Sequence, residues 1–194
     1  MTKANISFER VKFTNPRYWE YRKRHYVPIN GKGGCYGRQL HYLVLLDGKQ
    51  IGIISGASPA MQVKPRDDFF GIPHSGKDLA KWKEMLGQII DNVIYRIELE
   101  KPIPNLASQI LALWRRRVSA DWIERYGGKV IGFETFVDGD DERTGVQRGG
   151  VCYKADNWKL VGSTRGSAKA HVSGMHSDIV RRKTSVKLIF CRRI

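Results

Sequence analysis

The chain has 194 residues, with 34 Lys and Arg against 19 Asp and Glu, so it is long enough for one domain with a substantial core over 1–194, and its formal charge of +15 points to a polyanionic partner, DNA first. Cys35, Cys152 and Cys191 are too few and too scattered for a disulfide framework or a structural zinc site. An N-terminus without an apolar leader, no apolar run of membrane-spanning length and no long basic amphipathic helix argue against secretion and against a membrane, and predict a cytoplasmic protein.

Residues 5–13 alternate apolar and polar side chains and suit a first strand. Asn15-Pro16 then opens a helix, because Asn caps well and Pro fits the first helical position; Tyr18, Tyr21, Arg22 and His25 share one face of it. Residues 26–37 hold four glycines and a proline and read as a loop. Gln39–Leu46 and Gln50–Ser55 form a hairpin across Asp47-Gly48, a pair suited to a type I′ turn, with His41 as a structural residue inside it. Residues 56–76 form a polar connection, in which Asp67 and Asp68 read as a solvated acidic turn rather than as metal ligands, and metal use stays open. Asp78 to Gln88 is a short helix with Leu79, Trp82 and Leu86 on one face.

The segment from Val93 to Val137 organises the rest. An alternating strand over 92–100, a Pro-bearing turn, a long helical pattern and a second alternating strand over 130–137 make a right-handed βαβ unit. Asn105 is placed as the helix N-cap, with Ile110, Leu113 and Trp114 on the buried face; Ser119 is placed as the cap of a further short helix, closed by Gly127-Gly128. In such a unit the turn 103–108 and Asp138 fall on one edge of a parallel sheet, the edge where ligands enter open α/β folds. Arg115-Arg116-Arg117 suits equally the solvated C-terminal end of a helix and a set of phosphate contacts. Residues 139–150 form a charged loop, 166–180 a flexible segment and 186–190 a last strand, flanked by Arg181, Arg182, Arg192 and Arg193, which complete the expected DNA-contacting set; His171 and His176 read as solvated.

Strand order, crossover and the element Tyr153-Lys-Ala-Asp-Asn-Trp158 resemble the GNAT acetyltransferase fold. His25-Tyr26, Gly37-Arg-Gln-Leu-His-Tyr-Leu-Val44, Gly48 with Ile51-Gly52, Arg66-Asp67 with Phe70-Gly71, Pro104-Asn-Leu-Ala-Ser108, Asp121-Trp122 with Glu124-Arg-Tyr-Gly127, Glu134-Thr-Phe-Val-Asp138 and the Tyr153 element, in this order over residues 20–165, resemble two related families. These are DruA, a component of the Druantia anti-phage system, and Mom, the phage protein that modifies adenine in DNA.

The resemblance implies an α/β (α+β) fold, a central mixed twisted sheet with a parallel βαβ crossover flanked by helices. It implies transfer of an acetamido or carbamoylmethyl group to the exocyclic amine of adenine, which protects phage DNA from restriction in the bacterial cytoplasm. By the same resemblance His25, Tyr26, Asp138 and Tyr153 are the catalytic set. Acetyl-CoA or another small acyl or carbamoylmethyl donor would lie on the backbone of Asn105, Leu106, Ala107 and Ser108, although the Gly-rich turn of typical GNAT proteins is replaced here by Pro104-Asn-Leu-Ala-Ser108. The competing expectations are a DruA-like DNA-binding component, non-catalytic or with different chemistry, and an acetyltransferase acting on a protein or a small amine.

Overall fold

Period-two apolar patterning becomes a sheet in the computed structural model, which describes residues 5–25, 37–73, 76, 78–138, 140–141, 146–147, 149–171, 179–183 and 185–194. The elements run β1 (Ile6–Val11), α1 (Pro16–His25), β2 (Gln39–Leu46), β3 (Lys49–Ala57), α2 (Lys64–Phe70), α3 (Leu79–Leu86), β4 (Ile89–Ile97), α4 (Leu106–Tyr126), β5 (Gly132–Asp138), β6 (Asp140–Asp141), β7 (Val146–Gln147), α5 (Val151–Ala155), β8 (Lys159–Ser163), β9 (Ser167–His171), β10 (Ile179–Lys183) and β11 (Lys187–Arg193). Seven strands form one sheet in the order β1-β2-β3-β4-β5-β11-β8. Only β4 and β5 are parallel; the other neighbours are antiparallel.

The β2–β3 hairpin turns through Asp47 and Gly48, both at positive φ, 50° and 81°, which suits the right-handed twist of its strands. In α1 the Asn15 side chain accepts from the Tyr18 N–H, so the expected cap forms.

One face of the sheet carries α4 and α5. Leu106, Ile110, Trp114, Val118 and Trp122 recur every four residues and, with Leu111, pack on Tyr42, Ile54, Ile90, Phe133 and Phe190. Close approach is needed there: a Cβ at Gly56 would come within 2.7 Å of Ile90 and 3.3 Å of Trp114. The other face carries α1 over Leu43, Ile53 and Ile94, and α2 with α3 over Ile89, Ile189 and Cys191.

Four expectations are corrected. The crossover is one helix of 21 residues, and Ser119, instead of capping a second helix, donates its hydroxyl to the Arg115 carbonyl inside α4. Leu113 and Leu79 point to solvent, while their neighbours Trp114 and Trp82 are buried. The connection 56–76 contains α2, in which Asp67 is buried instead of solvated while Asp68 is exposed as expected. The first strand of the βαβ unit starts at Ile89, three residues before the expected start at Asn92. Within 139–150 β6 pairs with β7, and within 166–183 β9 pairs with β10.

Candidate active site

Strands β4 and β5 share three register pairs, Ile89 with Gly132 to Asp91 with Glu134, and part beyond them. At the same level β4 is bulged: Ser55 of β3 faces Ile94 and Gly56 faces Asn92, which leaves Val93 without a partner. Asn92 repairs the bulge with its own side chain, Nδ2 donating to the carbonyls of Ser55 at 3.1 Å and Ile94 at 3.2 Å. Its Oδ1 accepts from the Tyr153 hydroxyl at 2.7 Å. Across the gap Thr135 Oγ1 donates to the Asn92 carbonyl at 2.9 Å and lies 3.5 Å from the Tyr153 oxygen. A phenol is thus fixed by polar groups of both strands where the sheet opens.

What puts Tyr153 there is α5. Gly150 precedes it at φ 65°, and a Cβ at that position would meet the Phe190 ring at 2.6 Å. The Tyr153 ring stacks on Phe190, with centroids 5.9 Å apart, and meets the Trp158 ring edge-on at 5.1 Å. The end of α5 is pinned by buried Asp156, which accepts a bidentate pair from Arg115 at 2.7 and 2.8 Å and a bond from Trp158 Nε1 at 2.8 Å; Arg192 donates to its backbone carbonyl. Arg115 and Arg192, two of the expected phosphate contacts, are engaged within the chain, where they anchor α5 to α4 and β11.

The other members of the expected phosphate set divide. Arg117 pairs with Asp121 at 2.9 Å, and Arg193 donates to the Phe69 carbonyl while covering the Phe69 and Phe70 rings. Arg116 is exposed, with no ion pair among the described residues. Arg181 and Arg182 stand on β10 opposite Lys169 and Ala168, their side chains outside the described set.

At the rim lies the start of α4. Asn105 adopts φ 59°, and its side chain makes no capping bond, in contrast to the expectation. No acidic residue occupies the first turn, and the N–H groups of Ala107 and Ser108 have no acceptor among the described residues. The Tyr95 hydroxyl donates to the Ala107 carbonyl at 2.7 Å and Ser108 Oγ to the Asn105 carbonyl at 2.9 Å, which fixes the turn. Since β4 and β5 are parallel, Asp138 ends β5 on this same edge, where its carboxylate accepts from Ser185 at 2.5 Å and lies 3.8 Å from Lys187 Nζ. An Arg24–Glu98 ion pair at 3.2 Å brings the last turn of α1, and so His25, to the end of β4. The His25 side chain and the whole of Tyr26 lie outside the described residues.

Behind the gap, on the opposite face, sits a buried charge cluster. Arg66, with no exposed surface, donates to Glu134 at 2.6 Å, to Asp67, and to the carbonyls of Ala60 and Met61. Burial pushes the Glu134 carboxyl up to about 7 against the pull of Arg66. Burial, and then the charge of Glu134, hold Asp91 well above the carboxylate range, and its Oδ1 has no hydrogen-bond partner among the described residues. No group of three His, Cys, Asp or Glu able to hold a metal occurs among the described residues.

Asn92 and Thr135 were invisible as site residues in the sequence reading. The available signal was Asp91-Asn92, two polar residues in the apolar run from Ile89 to Ile94.

The fold is that of the GNAT acetyltransferases. A Bacillus subtilis acetyltransferase in complex with CoA aligns with a TM-score of 0.57 at 7% identity, covering 98% of this chain and 99% of that one. An Elizabethkingia anophelis GNAT family acetyltransferase with acetyl-CoA bound aligns at 0.56 and 6% identity, over 99% and 100% of the two chains. The apo form of an agmatine N-acetyltransferase aligns at 0.52 and 9% identity, over 98% and 100%. No curated protein matches the chain. Residues 5–187 match the family model described as Druantia protein DruA, so the chain belongs to the DruA family.

Proposed function

We propose that this protein is a transferase that moves a small acyl group from a coenzyme A thioester, or a carbamoylmethyl group from a donor with a leaving group on its methylene carbon, to an amine, with the exocyclic amine of adenine in DNA as acceptor. The observation that carries this reading is the Tyr153 hydroxyl, held on Asn92 in the gap between β4 and β5. The donor fits the start of α4: two free N–H groups, a 21-residue helix dipole and no carboxylate in the first turn suit a pyrophosphate, even without a Gly-rich turn. Asn105, Leu106, Ala107 and Ser108 would hold that end, and the bound donor supplies an electrophilic carbon and a leaving group.

Tyr153 is the proton donor to the departing group or the residue that orients it. Its ring is clamped between Phe190 and Trp158, so its oxygen needs no reorganisation. Asp138, at the open rim, orients or deprotonates the acceptor amine, whose lone pair is delocalised into the ring and needs an acceptor for its proton. His25, which ends α1 at the same edge, and the next residue in sequence, Tyr26, are the proposed contacts to the base. A base in duplex DNA has to leave the stack to reach this gap. The charge of +15 supports a polyanionic substrate over a small amine.

Mass spectrometry of nucleosides from DNA of cells expressing the wild type, Asp138→Asn and Tyr153→Phe tests the reading. The expected result is a modified adenine in wild type that falls by about 10²- to 10⁴-fold in both variants. Undiminished yield in both removes them from catalysis. Donor turnover on small amines without any DNA product assigns the gap to another acceptor, and absence of any turnover leaves a DNA-binding component of a defence system.

A further inference from the structure

At the opposite edge of the sheet from the gap, where α4 ends and β2 begins, an open cleft of about 740 Å³ is lined by Arg10, Lys12, Phe13, His41, Arg125 and Tyr126, with no carboxylate among the described residues that line it. Its position follows from register: Gln39 at the start of β2 pairs with Ala57, and Ala57 with Asp91 near the start of β4, whereas the gap opens toward the end of β4.

Tyr126 gives the cleft a fixed wall. Its hydroxyl accepts from the Gln39 N–H at 3.0 Å and donates to the Gln39 carbonyl at 2.9 Å, so the ring cannot swing. The guanidinium groups of Arg38 and Arg125 lie over that ring, 5.4 and 5.5 Å from its centroid. Phe13 contributes a second ring, covered by Arg22 at 5.2 Å. His41 adds no charge: burial, and then Arg22 and Arg125, push it down to about 4. Arg10 is offset by Glu124 at 3.1 Å and Asp121 at 3.8 Å. Lys12, Arg38 and Arg125 are exposed, and none has a carboxylate partner among the described residues.

Lys12, Arg38 and Arg125, without carboxylate partners among the described residues and beside immobilised aromatic rings, give the composition of a nucleic-acid groove, where phosphates meet the cations and bases or sugars lie on the rings. We propose that this cleft is a second nucleic-acid site, which holds the strand away from the nucleotide that reacts. For the identity of the polymer it rests on the reading of DNA as acceptor. A geometric consequence follows. Asp91, on the row of the cleft, lies six residues from Ile97 at the end of β4, roughly 20 Å or about six steps of a duplex at 3.4 Å per phosphate, so shorter duplexes reach one site but not both.

The test is fluorescence anisotropy of labelled single- and double-stranded DNA, and of labelled polyglutamate, with the full chain across a salt series. Three proteins are compared: wild type, Lys12→Ala/Arg38→Ala/Arg125→Ala, and a control with equal charge loss elsewhere, Lys81→Ala/Lys83→Ala/Lys159→Ala. The cleft variant is expected to lose affinity for DNA on the order of 100-fold and to flatten the duplex salt slope by roughly 0.9 per phosphate contact. The control should change far less, and affinity should rise with duplex length up to about six base pairs and more gently beyond. Lys12→Glu alone, at an exposed position with no partner, repeats the test should the triple variant melt early. Equal losses in both triple variants, wild-type binding by the cleft variant, or polyglutamate bound as tightly as DNA overturns the proposal. Loss of binding as expected with no modified base in cells supports the cleft and removes DNA as acceptor.

Discussion

The Tyr153 hydroxyl donates to Asn92 Oδ1 across 2.7 Å, and the same Asn92 amide closes the bulge of β4 on its other side. One side chain therefore shapes the strand and aims the phenol.

Removing either partner separates these roles. Asn92→Ala leaves two buried carbonyls without a donor and should destabilise the fold by about 2 kcal/mol, read by urea denaturation. Tyr153→Phe keeps the ring packing and should cost only about 1 kcal/mol, while transfer falls steeply. Full transfer by Tyr153→Phe with an unchanged fold would reduce Tyr153 to a packing residue.

Arg66 is the only cation in hydrogen-bond contact with Glu134 and Asp67 among the described residues. Arg66→Ala strands buried carboxylates and should cost about 3 to 5 kcal/mol, whereas Arg66→Met with Glu134→Leu, which removes charge from both sides, should recover much of the loss. Thermal melts of the single and double variants decide; a double variant no better than the single would show that shape, not charge, matters there.

The same cluster sets a pH dependence. The unfolded chain releases the Glu134 proton near 4.5, but the folded chain keeps it until about 7, and keeps that of Asp91 well above the usual range. Both shifts are upward, so in acid they cost nothing, and stability is lost as pH rises through the interval, at most about 1.4 kcal/mol per pH unit for each group. Asp91→Asn should match wild type near pH 4 and exceed it in stability near pH 8. Equal stability of the two across that range would place Asp91 outside this linkage.

Arg115 and Arg116 are neighbours with opposite expectations. Arg115→Ala unpins Asp156 and α5, and should cost about 1 to 3 kcal/mol and disturb transfer through Tyr153. Arg116→Ala should leave the melting temperature unchanged and weaken DNA binding at low salt severalfold. The reverse pattern in melts and anisotropy would contradict the assignment of Arg115 as anchor.

The sequence made β1 to β5 and β11 legible through their alternating patterns and the Asp47-Gly48 turn, and the βαβ unit followed from order alone, whereas β6, β7, β9 and β10 fall largely in stretches read as a loop and a flexible segment. What stayed hidden depends on distant partners. Arg115 meets Asp156 across 41 positions, and Arg66 meets Glu134 across 68, so neither could be distinguished from a solvated charge. Helix α2 was missed for the same reason: its Arg66 and Asp67 look like surface residues until Glu134 is beside them. Ser119 looked like a cap because Ser favours that position, but a hydroxyl bonded back to the preceding turn fits a continuous helix as well.

The three register pairs between β4 and β5 have a mechanical consequence. They make the sheet two leaves, β1-β2-β3-β4 and β5-β11-β8, joined by a short seam, the α4 crossover and the Thr135–Asn92 bond. Leaves joined along so short a seam can breathe about it, and anything lodged between them acts as a strut. Amide exchange at Ile94–Ile97 and Phe136–Asp138 should therefore slow when the gap is filled, while exchange in the middle of the β2–β3 hairpin stays the same.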